Sequence, residues 1–171
     1  RFGARAPRVL MPSRRAANAI SLGACAVALA FAFYVQYGLG FVPCHLCIFQ
    51  RVTLAAMGVA FLFAALVPGD RGFRIFSAAL IGLAGLATIA TAGRHVWIQM
   101  QPAGTVAPCG ADLAFMLDIF PLTDVILKVF RAGGECAKVD WTLLGLSMPA
   151  WVLAFAVVLT AAGVWINLRR N

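Results

Sequence analysis

Residues 16–36 read AANAISLGACAVALAFAFYVQ and carry no charged side chain. A helix needs about 20 apolar residues, within a range of roughly 17–25, to cross a lipid bilayer. In lipid the backbone must satisfy its own hydrogen bonds, so a run of this kind is predicted to be helical. Further along the chain, three more uncharged runs occupy residues 52–67, 75–93 and 141–168.

The four runs predict an all-α integral membrane protein, an antiparallel four-helix bundle that forms a single domain over residues 1–171. Pro149 is placed at the start of the last helix, because proline is tolerated in a first helical turn. No alternation of polar and apolar residues favours a membrane β-barrel. The predicted spans are about 16–36, 48–67, 75–93 and 149–168, with outer loops at 37–47 and 94–148.

The composition agrees with a chain solvated by lipid. Apolar residues make up 63% of the 171 residues, whereas soluble domains average about 45–50%. The net charge of +8 does not indicate nucleic-acid binding, because the basic residues flank apolar runs and form no patch interleaved with aromatic residues. The first run is expected to stay in the protein rather than to be cleaved as a signal peptide. Met11 is an alternative start to Arg1.

The distribution of basic residues predicts the orientation of the spans. Short loops rich in Lys and Arg stay in the cytoplasm, so both termini are predicted to be cytoplasmic. The segments on the other side of the four spans carry five acidic residues, and this side is predicted to face outward. The basic residues on the predicted cytoplasmic side are Arg1, Arg5, Arg8, Arg14, Arg15, Arg71, Arg74, Arg169 and Arg170.

Four of the five cysteines fall on the predicted outer side, namely Cys44, Cys47, Cys109 and Cys136. Disulfides persist in an oxidising outer compartment, so these cysteines form two candidate pairs. Cys25 stands alone in the middle of the first span, and a lone buried cysteine usually packs as a small hydrophobic side chain.

The stretch FVPCHLCIFQR at residues 41–51 places a C-x-x-C motif at the mouth of the second helix. Such a motif is typical either of a redox pair or of half a zinc site. The four outer thiols could supply the four ligands that structural zinc requires. The second pair, however, is separated by 27 residues rather than arranged as another C-x-x-C, which favours disulfide chemistry and no metal.

Two polar residues lie close to this motif in the predicted topology. Arg51 follows Cys47 by one helical turn, and a cation at that distance stabilises a thiolate. The alternative is that Arg51 extends to lipid headgroups. His95 ends the third predicted span on the outer side, where it could hydrogen-bond a ligand, donate a proton or only cap the helix.

The outer loop contains two short amphipathic segments, at residues 113–120 and 122–129, which could lie on the membrane surface or pack on the bundle. In the chain-entropy model, closing the loop with a Cys109–Cys136 disulfide would stabilise the fold by about 3–4 kcal/mol. Four membrane helices should hold together without it, so this bond is free to turn over. Pro108 and Gly110 indicate that Cys109 lies in an exposed loop.

The chain resembles the disulfide bond formation protein B (DsbB) family. The matching features are PCHLCIFQR at 43–51, GRHVWIQ at 93–99, Cys109 and Cys136 in the outer loop, and WTLLGLSMPAW at 141–151. The resemblance covers essentially the whole chain after residue 16. It implies a monomeric, multi-pass protein of the bacterial inner membrane, with lipid and a periplasmic DsbA-like thioredoxin-fold protein as its partners.

The resemblance also implies a relay, which would make the protein a protein-dithiol:quinone oxidoreductase. Reduced partner attacks the disulfide at Cys109, and the Cys109–Cys136 pair then reduces Cys44–Cys47. Cys47 passes electrons to a quinone, ubiquinone or menaquinone, bound near Arg51 and His95, and forms a thiolate–quinone charge-transfer species in the family. Two alternatives remain at this point: an enzyme similar to vitamin K epoxide reductase, and a metal-binding membrane subunit that uses the four thiols.

Overall fold

The protein is represented by a computed structural model that describes residues 13–102, 118–131, 136, 137, 139 and 142–169. Four long helices form the bundle: α1 (Arg14–Tyr37), α2 (His45–Leu66), α3 (Arg71–Gln99) and α5 (Met148–Leu168). Between α3 and α5 lie a short helix, α4 (Leu122–Arg131), and a hairpin of two strands, β1 (Thr142–Leu143) and β2 (Leu146–Ser147). The strands pair antiparallel, Thr142 with Ser147 and Leu143 with Leu146.

All four long helices are long and apolar enough to cross a membrane, which confirms the predicted fold class. The bounds differ from the predicted spans in two places that affect the site. Helix α2 begins at His45 rather than at about 48, so Cys47 lies within the helix and not in the predicted outer loop 37–47. The third helix continues past Gly93 to Gln99, so His95 lies within α3 rather than at its end. An apolar window locates the part of a helix that lipid can surround, but a helix ends only where its backbone hydrogen bonds cease.

The helix starts follow local capping rules. Ser13 accepts a hydrogen bond from the Ala16 amide, and Asp70 accepts one from the Phe73 amide, so both side chains cap otherwise unpaired helix donors. Pro149 lies in the first turn of α5, as the sequence predicts. Leu144 and Gly145 both have positive φ, of 53° and 78°, which gives the two-residue turn that suits a tight hairpin.

The core runs along the inner faces of the bundle, where α2 packs between α1 and α3, and α3 packs along α5. Close packing of α5 depends on glycines, since a Cβ at Gly85 of α3 would overlap Thr160 of α5, and one at Gly163 of α5 would overlap Phe61 of α2 and Ile81 of α3. Cys25 is 1% exposed and belongs to a cluster of buried apolar residues in this core. The buried cluster contains Cys25, Leu54, Met57, Ala60, Phe61, Ala64 and Ile81.

Polar side chains tie the helices together at one end of the bundle, here called the arginine end, where α1 and α3 begin and α2 and α5 finish. Asn18 and Asn167 are fully buried and exchange amide hydrogen bonds of 3.3 and 3.0 Å. Arg14 donates to the Val67 carbonyl, and Arg74 donates to the Asn167 carbonyl. The carbonyls that finish α2 and α5 are therefore capped by guanidinium groups from other helices.

The opposite end, here called the cysteine end, carries the start of α2, the end of α3 and the hairpin. Helix α4 rests there, with Val125 fully buried against Leu46 and Ile98. The second amphipathic segment therefore packs on the bundle through Val125, and its placement on the membrane surface stays a prediction. Most of the first segment, residues 113–117, lies outside the described residues.

Candidate functional site

The C-x-x-C motif lies at the start of α2. Cys44 is the N-cap residue and Cys47 is in the first helical turn, which brings both sulfurs to the same side of the helix. Their Sγ atoms are 3.2 Å apart, and the Cys44 thiol donates a hydrogen bond to the Cys47 sulfur. Both side chains are half-buried and are free thiols. The pair is thus close enough to form a disulfide with little movement.

His95 faces this pair from α3. Its Nε2 is 3.7 Å from Cys44 Sγ, and its Nδ1 is 4.0 Å from Cys47 Sγ. The ring is 2% exposed, so it exchanges protons with its immediate neighbours more readily than with bulk water. Gln50 Nε2 lies 3.1 Å from His95 Nδ1. When the Gln50 amide donates to Nδ1 of the neutral ring, the ring proton resides on Nε2 and faces Cys44.

Cys136 reaches the same place from the loop before the hairpin. It is 3% exposed, and its sulfur, Cys44 Sγ and a His95 ring nitrogen all lie within 4.8 Å of one another. The hydrogen bond with Cys44, together with burial, raises the pKa of the Cys136 thiol well above its ordinary range. The loop cysteine is therefore a neutral thiol beside the helical pair as long as Cys44 is itself a free thiol.

A cavity of about 300 Å³ opens next to Cys47, between α1, α2 and α5. Its polar lining comes from Cys47, Gln50 and Arg51, while most of its walls are apolar. Leu143 of the hairpin closes one side, and the Trp151 indole donates to the Leu143 carbonyl over 3.1 Å. The apolar lining residues are Ala28, Leu29, Phe31, Ala32, Leu54, Leu143, Met148, Pro149, Trp151, Val152 and Phe155.

Arg51 is held at this cavity by α1. Its guanidinium donates to Gln36 Oε1 and, over 2.9 Å, to the Ala32 carbonyl. The guanidinium carbon also lies 5.2 Å from the centre of the Phe33 ring, a distance typical of a cation–π contact. These partners fix the side chain along the cavity wall, so the charge stands beside Cys47 on the same helix.

The structure brings most of the predicted site residues together in two adjoining groups. Cys44, Cys47, His95 and Cys136 form one group, whereas Cys47 and Arg51 line the cavity. His95 is not among the cavity-lining residues. Cys109 lies outside the described residues.

Gln50 connects the two groups, since it contacts His95 and also lines the cavity. Sequence reasoning missed this residue. The available signal was a glutamine three positions after Cys47, in a helix that is otherwise almost entirely apolar. Polar side chains within membrane helices are costly unless they have a partner, so such a residue indicates a site.

A dithiol with a third thiol in reach, at one end of a four-helix membrane bundle, defines a membrane-bound thiol–disulfide oxidoreductase. Comparison with known proteins identifies the family within this class. The chain belongs to the DsbB family, disulfide bond formation protein DsbB, whose model matches residues 14–166.

Individual relatives match over most of their length. The disulfide bond formation protein B of Nitrosococcus oceani is 46% identical over 143 residues, which cover 82% of this chain and 83% of the relative. That of Acinetobacter baumannii is 41% identical over 154 residues, 90% of each chain. That of Methylococcus capsulatus is 42% identical over 164 residues, 94% of this chain and 99% of the relative. The family predicted from the sequence motifs is confirmed, and it is favoured over a vitamin K epoxide reductase-like enzyme.

Proposed function

We propose that this protein reoxidises a DsbA-like thioredoxin-fold dithiol in the periplasm and passes the electrons through its two cysteine pairs to a membrane quinone. One observation carries the proposal. Cys136, Cys44 and Cys47 follow one another within contact distance, and Cys47 opens onto an apolar cavity that contains Arg51. The three sulfurs and the cavity thus lie in the order in which electrons would pass from the loop to the interior of the bundle.

Two disulfide exchanges account for the electrons. In the first, the partner's two thiols become a disulfide while the Cys109–Cys136 disulfide becomes two thiols. In the second, the Cys136 thiolate attacks Cys44 of the Cys44–Cys47 disulfide, and Cys47 leaves as a thiolate. Cys109 then closes the disulfide with Cys136 and releases Cys44. The proximity of Cys136 to Cys44 supports this choice of attacked sulfur.

The cavity residues fit a quinone. A quinone, when bound, accepts two electrons and two protons from the Cys44–Cys47 dithiol. The apolar walls suit a flat ring and exclude water, while Cys47 provides the reacting sulfur. Arg51 provides a fixed positive charge where negative charge accumulates during transfer, which is the arrangement that stabilises a transition state electrostatically. Which quinone is used follows from extraction of the bound molecule, ubiquinone or menaquinone.

His95 serves the thiols rather than the cavity wall. Its Nε2 faces Cys44 and its Nδ1 is within 4.0 Å of Cys47, so the ring is placed to take up a thiol proton as the disulfide re-forms. The buried ring has Gln50 as its second contact, which holds it in the orientation that faces Cys44.

The test uses the purified full chain in detergent, a reduced thioredoxin-fold dithiol protein and a short-chain ubiquinone whose absorbance is followed. We expect Cys44→Ser, Cys47→Ser, Cys109→Ser and Cys136→Ser each to abolish turnover. Cys25→Ser should retain it, because Cys25 lies in the apolar cluster away from the site. A serine hydroxyl there can bond the carbonyl four residues earlier, as Ser21 bonds Ala17. Full turnover by Cys109→Ser would exclude the relay.

A further inference from the structure

We propose that the reduced protein binds one zinc-like transition-metal ion between Cys44, His95 and Cys136. Three donor atoms of the kind that zinc prefers, two cysteine sulfurs and one imidazole nitrogen, lie within 4.8 Å of one another. This set differs from the four thiols that the sequence suggested, because it includes a histidine from α3. The site follows from the folded arrangement and not from a ligand spacing in the chain.

The distances fit a tetrahedral ion. With Zn–S bonds of about 2.3 Å and Zn–N bonds of about 2.0–2.1 Å, a tetrahedral site has a sulfur–nitrogen edge of about 3.6 Å and a sulfur–sulfur edge of about 3.8 Å. The distance from Cys44 Sγ to His95 Nε2 is 3.7 Å. Since no pair of donors is further apart than 4.8 Å, a contraction of about 1.2 Å or less completes the triangle.

The surroundings suit a buried ion with one open coordination position. His95 is 2% exposed and Cys136 is 3% exposed, whereas Cys44 is half-buried and provides a route of entry. Leu46 and Ile98 pack around the cluster and keep bulk water away. A water molecule or Cys47, whose sulfur is 3.2 Å from Cys44 Sγ, would fill the fourth position. Two thiolates and a neutral imidazole balance the charge of a divalent ion, which favours binding in a dry site.

Gln50 supplies the second contact that metal-binding histidines usually have. A metal on His95 Nε2 requires the ring proton on Nδ1, which then donates to an acceptor. Gln50 lies 3.1 Å from Nδ1, and a 180° turn of its amide presents Oε1 instead of Nε2. The same pair of residues therefore supports both the metal-free and the metal-bound tautomer.

Binding is coupled to the redox state. The ion displaces two thiol protons, one from Cys44 and one from Cys136, which pass to solvent, and no electrons are transferred. A disulfide at either cysteine removes a ligand, so the oxidised protein has no such site. If the proposed function holds, the ion blocks the two sulfurs that exchange electrons and acts as a reversible inhibitor of the reduced enzyme.

Cobalt titration of the full chain tests the site directly. The protein is reduced with a phosphine in detergent, and Co²⁺ is added while thiolate-to-cobalt charge-transfer and tetrahedral d–d absorption are recorded, followed by competition with Zn²⁺. We expect one Co²⁺ per reduced chain, displaced by Zn²⁺, and no such absorption from the oxidised chain. Cys25→Ser should bind as the unchanged protein does.

Variants assign the ligands. Cys44→Ser, Cys136→Ser and His95→Ala should each weaken binding by about 100-fold or more, and Gln50→Leu by about 10–100-fold. Thermal unfolding of each variant separates ligand loss from misfolding, and the half-buried Cys44 is the position least sensitive to the exchange. Failure of the reduced protein to bind Co²⁺, equal binding by the oxidised protein, or unchanged affinity in a folded Cys136→Ser variant would overturn the site.

The titration uses neither quinone nor partner. An active enzyme that binds no cobalt would therefore overturn the metal site alone. An inactive protein that binds cobalt through these ligands would instead overturn the proposed function.

Discussion

Gln50 on α2 and His95 on α3 lie 3.1 Å apart, from amide Nε2 to ring Nδ1, and both side chains are buried. The contact joins the helix that carries the C-x-x-C motif to the helix that faces it. It also determines which ring nitrogen is turned toward Cys44, since the amide occupies the other one. A glutamine three residues after Cys47 thereby orients the histidine that faces the motif.

Replacing Gln50 by leucine removes this hydrogen bond while keeping the side-chain size. One hydrogen bond contributes about 0.5–1.5 kcal/mol, so we expect turnover to fall by about 2–10-fold and its pH profile to shift. Thr53→Val is the matched control, because the Thr53 hydroxyl bonds only carbonyls of its own helix. Since His95→Ala removes the ring itself, its effect should exceed that of Gln50→Leu. An unchanged pH profile in Gln50→Leu would exclude a positioning role.

Arg51→Ala should impair the use of quinone more than His95→Ala does. Arg51 is the charged residue of the cavity lining, and a hydrogen bond to a charged group contributes about 1.5–3 kcal/mol, which predicts a rise in the KM for quinone of about 10–100-fold. Gln36→Ala keeps the charge but removes one of its partners, so its effect should be smaller. Normal quinone kinetics in Arg51→Ala would exclude a role of Arg51 in quinone binding and would favour its role as an anchor to lipid headgroups.

The pH dependence of Cys136 alkylation should change when its neighbour Cys44 is replaced. The hydrogen bond with Cys44 and burial raise the pKa of Cys136 above its ordinary value of 9.0. Only the thiolate is alkylated, so in the reduced protein the midpoint of the alkylation rate against pH should lie above 9.0. Cys44→Ala removes the hydrogen-bond partner and should lower this midpoint. Peptide mass spectrometry after iodoacetamide treatment reports Cys136 separately, and equal midpoints in the two proteins would contradict the prediction.

Cys109 is predicted to be the sulfur that the partner attacks. Without Cys136 there is no Cys109–Cys136 disulfide to attack, so the trap uses the oxidised partner. The Cys109 thiolate attacks the partner's disulfide, one partner sulfur leaves as a thiolate, and a mixed disulfide should accumulate because no Cys136 thiol can resolve it. We expect Cys136→Ser to trap the partner at Cys109, as judged by non-reducing gels and mass spectrometry. A partner linked to Cys47 instead would remove the two-step order of the relay.

Reporter fusions test the predicted orientation of the helices. Fusions after Asp70, between α2 and α3, and after Ala137, between α3 and α5, should report opposite sides of the membrane. The motivation is the set of arginines on one side of the four spans, which predicts that Asp70 is cytoplasmic. If both fusions report the same compartment, the orientation and the oxidising environment of Cys44 are both wrong.

Much of the fold follows from composition, because lipid imposes length and apolarity on each span. The four helices and Pro149 at the start of α5 are predicted correctly, whereas the end of α3 is not, since it continues beyond the apolar run to Gln99. A hydropathy pattern contains no signal for that extension, and the extension is what places His95 about one turn inside the helix.

The functional site likewise has features that the sequence predicts and features that it does not predict. The helical dithiol is a local feature of residues 44–47, so sequence could identify it. The approach of Cys136 to Cys44, the closure of the cavity by Leu143 and the contact of Gln50 with His95 join residues far apart in the chain. Such contacts depend on how the helices pack, and packing of apolar surfaces leaves little trace in one sequence.

The capped carbonyls at the arginine end have a consequence for biogenesis. Arg14, Arg15 and Arg74 are among the charges that predict how the spans are inserted, and in the folded bundle they donate to the carbonyls of Leu66, Val67 and Asn167. The predicted orientation therefore assigns these groups two uses, first as charges during insertion and then as donors during helix assembly. Lysine at these positions would preserve the insertion signal but lose the planar fork of donors. Correctly inserted but poorly assembled protein is the expected result, so membrane topology and folding yield must be measured separately for these residues.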